Sequence, residues 1–285
     1  MSDITSRRPI FGVRLTGLAE DAGRVEAAGF DFIQLGDPDI GADGPIGEDP
    51  LSVAAYLMTT TERVGLAAVV PANWAPFHVA RALASFDHLS SGRCGWLPVS
   101  GEAAPDPERL AEHREVVLKL FDSWDDGALV FDKPSAIFAD RERVRRIRHE
   151  GRHFTVDGPL NAPRPVQGRP VILDRLENAG PATDIALAPL EAWLTAPPVD
   201  APLRLAEIVL STPDGVGALA DQLATALRLG QCDGALFAPV GEADIERLIQ
   251  LLAPRLIVAE PAPGADFRTR LGLARPVNRY AATGA

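Results

Sequence analysis

The stretch from Ala75 to Ser100, APFHVARALASFDHLSSGRCGWLPVS, constrains the fold more than any other part of the chain. Pro76 opens it as the first residue of a helix, where its missing N–H is one that would lack a partner anyway. Phe77, Val79, Ala82, Leu83 and Phe86 follow at close to helical spacing. Ser90-Ser91-Gly92 reads as a stop and turn, and Cys94 to Val99 is a run of strand length. Helix, tight turn and buried strand make one repeat of an α/β fold. Arg81, Asp87 and Arg93 lie among the apolar residues, and charges in such surroundings are expected to be partners of one another.

The same rhythm runs through the rest of the chain. Ile10 to Leu15 reads as a first strand and Gly17 to Ala28 as an amphipathic helix ending at Gly29. Phe30 to Leu35 is a continuous apolar run, the mark of a fully buried parallel strand. A loop rich in Gly, Pro and Asp covers Asp37 to Asp49. Pro50 then opens a helix over Leu51 to Thr60, and Val64 to Val70 is the next strand. Pro107 to Trp124 reads as a long helix with Leu110, Val117, Leu118, Leu120, Phe121 and Trp124 facing inward. From Asp125 to Arg169 the rhythm breaks, and charge, Pro and Gly mark an excursion over the surface. Strands resume at Pro170 to Leu173 and Leu205 to Leu210. Thr212-Pro213-Asp214 announces a helix with a cap, an N1 proline and an acid near the positive dipole end. Gly215-Val216-Gly217 behind it reads as a plain capped helix start, or as a phosphate-binding one. Ala235 to Phe237 is the last strand and Glu242 to Leu252 the last helix. Between Leu173 and Leu205, one short apolar run among many prolines gives no clear element. The 285 residues are a normal length for one (β/α)8 TIM barrel. The expectation is a single barrel domain over residues 1–285, with one excursion at about 125–169.

Composition removes several classes of function. With 46% hydrophobic and 24% charged residues the chain can bury a large core. A net charge of −11 argues against a nucleic-acid partner, which needs clustered cations on one face. The basic cluster Arg141, Arg143, Arg145, Arg146, Arg148 and Arg152 alternates with apolar residues beside acids, so it reads as a solvated or ion-paired face. Cys94 and Cys232 lie far apart in apolar surroundings and read as small buried residues. His113, His149 and His153 show no metal-ligand spacing with carboxylates, and His88 reads as packing or hydrogen-bonding in the turn. No run approaches membrane-spanning length, and MSDITSRRPIFG lacks the apolar core of a signal peptide. A soluble, cytoplasmic protein is expected.

Pro76, His78, Ala80, Arg81, Ala84, Asp87, Leu89, Ser90, Gly92, Arg93, Gly95 and Trp96 follow the pattern P-x-H-x-A-R-x-x-A-x-x-D-x-L-S-x-G-R-x-G-W. That pattern resembles a segment of the luciferase-like, flavin-dependent monooxygenases, in the branch holding the nitrilotriacetate, EDTA and dibenzothiophene-sulfone enzymes. The resemblance continues through Phe121 to Val130, through Val144 to Pro170, at Asp233-Gly234 and Pro254-Arg255-Leu256, and in the tail Leu271 to Arg279. Members are usually much longer, so the chain resembles a pruned one.

The resemblance implies a site in the loops after the strands, with His78 as the catalytic candidate and Asn73, Trp96, Ser100 and Arg175 toward the flavin. It implies reduced FMN as cofactor, a flavin reductase as supplier, a small organic substrate, and a homodimer as a common assembly. Three positions depart from the pattern. A hydroxyl-rich Val-Thr-Ser is here Val99-Ser100-Gly101, behind Pro98, which is unusual inside a central strand. An Arg-Tyr pair at the long helix is Arg109-Leu110. The Q-A-G-x-S turn that meets the flavin phosphate is Asp174-Arg175-Leu176-Glu177-Asn178, which sets two carboxylates where a dianion should approach bare backbone. Two readings follow: a flavin-dependent monooxygenase, or a relative without tight flavin binding that serves as a structural or regulatory partner subunit.

Overall fold

Eight parallel strands close on themselves, and the residues that close them alternate strictly between two cores. The computed structural model describes residues 8–16, 21–39, 49–101, 106–195, 201–210, 216–257 and 265–281. In chain order it runs β1 (Ile10–Leu15), α1 (Ala22–Ala27), β2 (Phe32–Leu35), α2 (Pro50–Leu57), β3 (Gly65–Pro71), α3 (Pro76–Leu89), β4 (Cys94–Val99) and α4 (Pro107–Phe121). Four short strands follow: β5 (Leu129–Asp132), β6 (Ile137–Ala139), β7 (His149–Glu150) and β8 (Thr155–Val156). The barrel resumes with β9 (Val171–Arg175), β10 (Ile185–Pro189), α5 (Leu190–Thr195), β11 (Leu203–Leu210), α6 (Val216–Arg228) and β12 (Gly234–Pro239). The end of the described chain adds α7 (Glu242–Arg247), a wider turn over Leu248–Leu252, α8 (Ala253–Leu256) and α9 (Phe267–Arg270).

The barrel order is β1-β12-β11-β10-β9-β4-β3-β2, closed, with every neighbouring pair parallel. This is the (β/α)8 architecture the sequence predicts. Because side chains alternate along a strand, Ile10, Phe32, Leu97, Leu173, Leu205 and Leu236 fill the interior. Their neighbours Phe11, Ile33, Trp96, Ile172, Ala206 and Phe237 point outward, into the layer under the helices. The turn motifs Thr212-Pro213-Asp214 and Gly215, the start of the predicted first helix and most of the loop 37–49 lie outside the described residues. Of the prolines between Leu173 and Leu205, Pro197 and Pro198 lie outside the described residues. Pro189 closes β10 and Pro239 closes β12, where no further ladder donor is needed. Pro98 is tolerated for a related reason, because the β4–β9 ladder pairs only Gly95 with Val171 and Trp96 with Ile172.

The charges of the opening stretch do not pair with one another as expected. Arg81 is exposed. Asp87 is fully buried and accepts from the Gln167 backbone N–H at 3.1 Å and side-chain amide at 2.6 Å, and from the Cys94 N–H at 3.3 Å. Arg93 donates to the Thr61 hydroxyl and to the carbonyls of Met58 and Ser90. Each charge is met by neutral dipoles, which suffices for a buried ion whose hydrogen bonds are filled. Gln167 also accepts from the Arg268 N–H at 2.9 Å, and Arg268 forms a two-pronged pair with Asp184 at 2.6 and 2.7 Å. This chain of contacts ties α3, the excursion, β10 and α9 together at the end of the barrel where the strands begin. There Phe267 enters the interior against Phe32, at a ring separation of 5.9 Å. A Cβ on Gly65 would stand 2.7 Å from the Phe267 ring, which is why glycine occupies that position.

The excursion forms two small antiparallel pairs, β5–β6 and β7–β8. Four of the six arginines of the cluster are ion-paired, Arg143 with Asp140, Arg145 with Asp125, Arg146 with Asp157 and Arg152 with Glu108, on the solvated or ion-paired face expected. Glu112 of α4 clasps the second turn, accepting from His149 Nε2 at 3.1 Å and from the N–H groups of His153 and Phe154 at 3.0 and 2.9 Å. Burial acts upward on this carboxyl, but those hydrogen bonds outweigh it and hold its pKa at about 2. No helix among the described residues is long and apolar enough to cross a membrane.

Candidate active site at the barrel mouth

The strands point their C-terminal ends at one rim, and the loops after β3 and β4 form one side of it. Ala72 N–H donates to Val99 O at 2.8 Å, and the Asn73 amide donates to Gly101 O at 3.3 Å, so the two loops are stitched together. Gly101 has φ +70, and a Cβ there would collide with the Pro71 Cβ. The loss of the family's second hydroxyl at this place therefore brings the close loop-to-loop contact with it. Asn73 and His78 are exposed on this rim and Ser100 is half-buried beside them. Asn73 and Ser100 lie in the two stitched loops, and His78 stands on the first turn of the helix that follows the first of them.

Trp96 is not among them. It lies on the outward face of β4, fully buried in the sheet–helix layer, with its ring 6.2 Å from that of His113 on α4. Alternation decides this: Leu97, next along the strand, is the interior residue.

The rest of the mouth is polar, both beside the β3–β4 rim and across from it. Leu173 faces the interior, so Arg175, two residues on, does too. Its guanidinium crosses to Asp39 after β2, at 2.6 Å. Arg14 on β1 and Glu207 on β11 form a second ion pair, both less than one-fifth exposed. Gln34, in register with Arg14, donates its amide to Gly36 O at 3.0 Å, while its Oε1 finds no partner among the described residues. The expected pair of carboxylates at the phosphate position does not form. Asp174 points outward, where Arg114 holds one oxygen at 2.6 Å and the Thr183 hydroxyl donates to it at 2.5 Å. Glu177 is exposed on the turn behind. The other Asp174 oxygen has no partner among the described residues. Burial pushes this carboxyl up to about 6 against the pull of Arg114 and Thr183.

His113 is the residue the sequence reading missed. It is fully buried on the inner face of α4, between Trp96 and Phe154, and its Nε2 lies 3.1 Å from Trp74 O. A carbonyl only accepts, so Nε2 carries the proton. Burial, seconded by the charge of Arg109, holds the ring at a pKa of about 4 against the upward pull of the Trp74 contact, so the ring is uncharged at neutral pH. The signal was available: Leu110, His113 and Val117 share one helical stripe.

The luciferase-like monooxygenase family model matches residues 5–176. One of the two pristinamycin IIA synthase subunits of Streptomyces pristinaespiralis is 38% identical over 262 residues, covering 90% of this chain and 89% of that protein. The chain belongs to the luciferase-like monooxygenase family. Dibenzothiophene-sulfone monooxygenase of Rhodococcus erythropolis is 39% identical over 150 residues, 47% of this chain but only 33% of that protein. The chain is thus short beside the dibenzothiophene-sulfone enzyme, as expected of a pruned member, but matches the synthase subunit over nearly its whole length. Among solved structures, riboflavin lyase bound to modified FMN and riboflavin superposes with a TM-score of 0.78 at 20% identity, covering 96% of this chain and 98% of that one. EDTA monooxygenase from Chelativorans sp. BNC1 gives 0.73 at 19%, covering 94% and 99%. These likenesses establish the barrel. Flavin-dependent oxygenation of small organic substrates is the activity of the family, and the partner-only alternative is not favoured.

Proposed function

We propose that the chain is an FMN-dependent monooxygenase that takes reduced flavin from a reductase and oxidises a small organic substrate with O2. The observation that carries the reading is the mouth itself: an apolar and hydroxyl-bearing rim on β3–β4 stands next to Arg175 on β9 and across from the Arg14–Glu207 pair on β1 and β11. Val69, Pro71 and Val99 supply a surface for a flat aromatic ring, with Asn73 and Ser100 at its edge. Arg175 offers a cation for a phosphate, which would replace Asp39 as its partner. With Asp174 turned outward, one of the two carboxylates expected at that position is withdrawn, and the others near it, Asp39, Glu207 and Glu177, are met by Arg175. The residues present therefore fit FMN. Gln34 Oε1 and Arg14 Nε, both buried on the mouth layer without partners among the described residues, give an acceptor and a donor to a polar ring edge.

Reduced flavin supplies the activation of oxygen when bound. The chain's own part is to bind, orient and keep water out. Arg175 would anchor the anionic end, Asn73 and Ser100 would fix the ring's edge, and His78, on the first turn of α3, would hold a proton at its imidazole beside the substrate. The resemblance to a synthase subunit also suggests that a second protein chain completes the enzyme.

The test is titration of the purified protein with FMN, oxidised and then reduced under anaerobic conditions. Micromolar or tighter binding of either form is expected. Arg175→Ala should weaken FMN by about 10- to 100-fold, the worth of one charge-assisted hydrogen bond, and should weaken riboflavin, which lacks the phosphate, far less. No binding of either form by folded protein would refute the proposal.

A further inference from the structure

We infer that His113 is a positioning residue for the mouth: its Nε2–H sets where the rim loop after β3 stands relative to α4. Among the described residues, three contacts fix that loop. Ala72 N–H ties it to the end of β4, the Asn73 amide ties it to Gly101, and Trp74 O receives the imidazole from outside the barrel. The first extends the β3–β4 ladder by one rung, and the second joins loop to loop. The third is the one that, among the described residues, anchors the loop to α4, at a ring wedged between Trp96 and Phe154 at 6.2 and 5.6 Å. A side chain buried to this degree has one rotamer available, so the donor position is as rigid as α4 itself.

The protonation pattern supports a dedicated role. With Nε2–H committed to Trp74 O and the ring uncharged, Nδ1 is a bare acceptor, and it has no partner among the described residues. A packing residue at this place needs no nitrogen at all. Leu or Phe would fill the same stripe of α4 without leaving a buried acceptor unpaired, which costs stability. What histidine adds over an apolar ring is the donor to Trp74 O. That donor acts on the segment carrying Asn73, Trp74 and, one turn on, His78. The link to flavin rests on the proposed function; the link to the loop does not.

The experiment compares the intact protein with His113→Phe, which keeps the ring and loses the donor, and His113→Gln, which restores an N–H at similar reach. Amide hydrogen exchange is read on a peptide spanning residues 71–80. Exchange of the rim amides, Trp74 and His78 foremost, is expected to quicken roughly tenfold in His113→Phe, the loss of one buried hydrogen bond, and to return toward wild type in His113→Gln. If His113→Phe does not fold, His113→Asn, whose amide is too short to reach Trp74 O, replaces it. Rim exchange equal to wild type in a folded donor-less variant would overturn the inference. So would a glutamine variant as fast as the phenylalanine one. FMN affinity is measured in parallel and should follow the same order. A wild type that binds no FMN would refute the flavin reading while leaving the exchange result to judge His113.

Discussion

His113 and Asp174 lie in the same sheet–helix layer and impose opposite pH dependences on stability, which makes the pair a sharp test of how burial acts here. His113 is held at about 4 when folded and returns to 6.5 when unfolded. Below 6.5 the unfolded chain therefore binds the extra proton, and stability falls as the pH drops toward 4. At roughly 1.4 kcal/mol per pH unit the whole effect is about 3 kcal/mol. Asp174 is held at about 6 when folded, against 3.8 unfolded. Here the folded chain binds the extra proton, so stability is gained below 3.8 and lost as the pH rises through 6, again by about 3 kcal/mol. Between pH 4 and 6 the two largely cancel in the wild type. Asp174→Asn removes one side of the balance. Its contact with Arg114 changes by a fixed amount, so the informative quantity is the difference from wild type as a function of pH. Urea unfolding at pH 4, 5, 6 and 7 should show Asp174→Asn gaining about 3 kcal/mol on the wild type from pH 4 to 6.5. His113→Gln should lose a similar amount over the same range. A flat difference curve for Asp174→Asn would mean that Arg114, at 2.6 Å, keeps the carboxylate ionised, and the argument from burial would fail.

Two further outcomes follow from the packing. Gln167→Leu leaves the buried Asp87 carboxylate and the Arg268 N–H without their partner and should cost about 3 kcal/mol or more in urea unfolding, with FMN affinity unchanged in the folded protein. Gly101→Ala requires a left-handed conformation and a collision with Pro71, so it should lower the unfolding midpoint and weaken FMN together, whereas a glycine needed only for the turn would leave affinity intact.

The barrel was legible because its signals are one-dimensional. Apolar runs of strand length, prolines at helix starts and glycines at helix ends survive any tertiary arrangement, and β1 to β4, β9, β11 and β12 all fall where those runs occur. β10 and α5 escaped notice for a local reason. Ile185–Pro189 is only five residues, and the Pro that ends it was read as a loop signal when it marks the end of a ladder.

The site was less legible because its chemistry depends on which face of a strand each residue takes. Trp96 and Asp174 both looked like mouth residues from their place near strand ends, and a single step of alternation sends both to the helical side. The same step sends Arg175 into the mouth, which reverses the argument about phosphate: the position that appeared to carry excess negative charge presents a cation inward and hides its carboxylate against Arg114. Hydrophobic neighbours already contain the answer, since Leu173 must face the interior for β9 to join the barrel, and Asp174 must then face out. A motif compared only by residue type loses this. Compared with its strand parity, Asp174-Arg175 is one solution to holding an anion at a barrel mouth, with the acid spent on tying α4 to β9 and the base left facing the ligand.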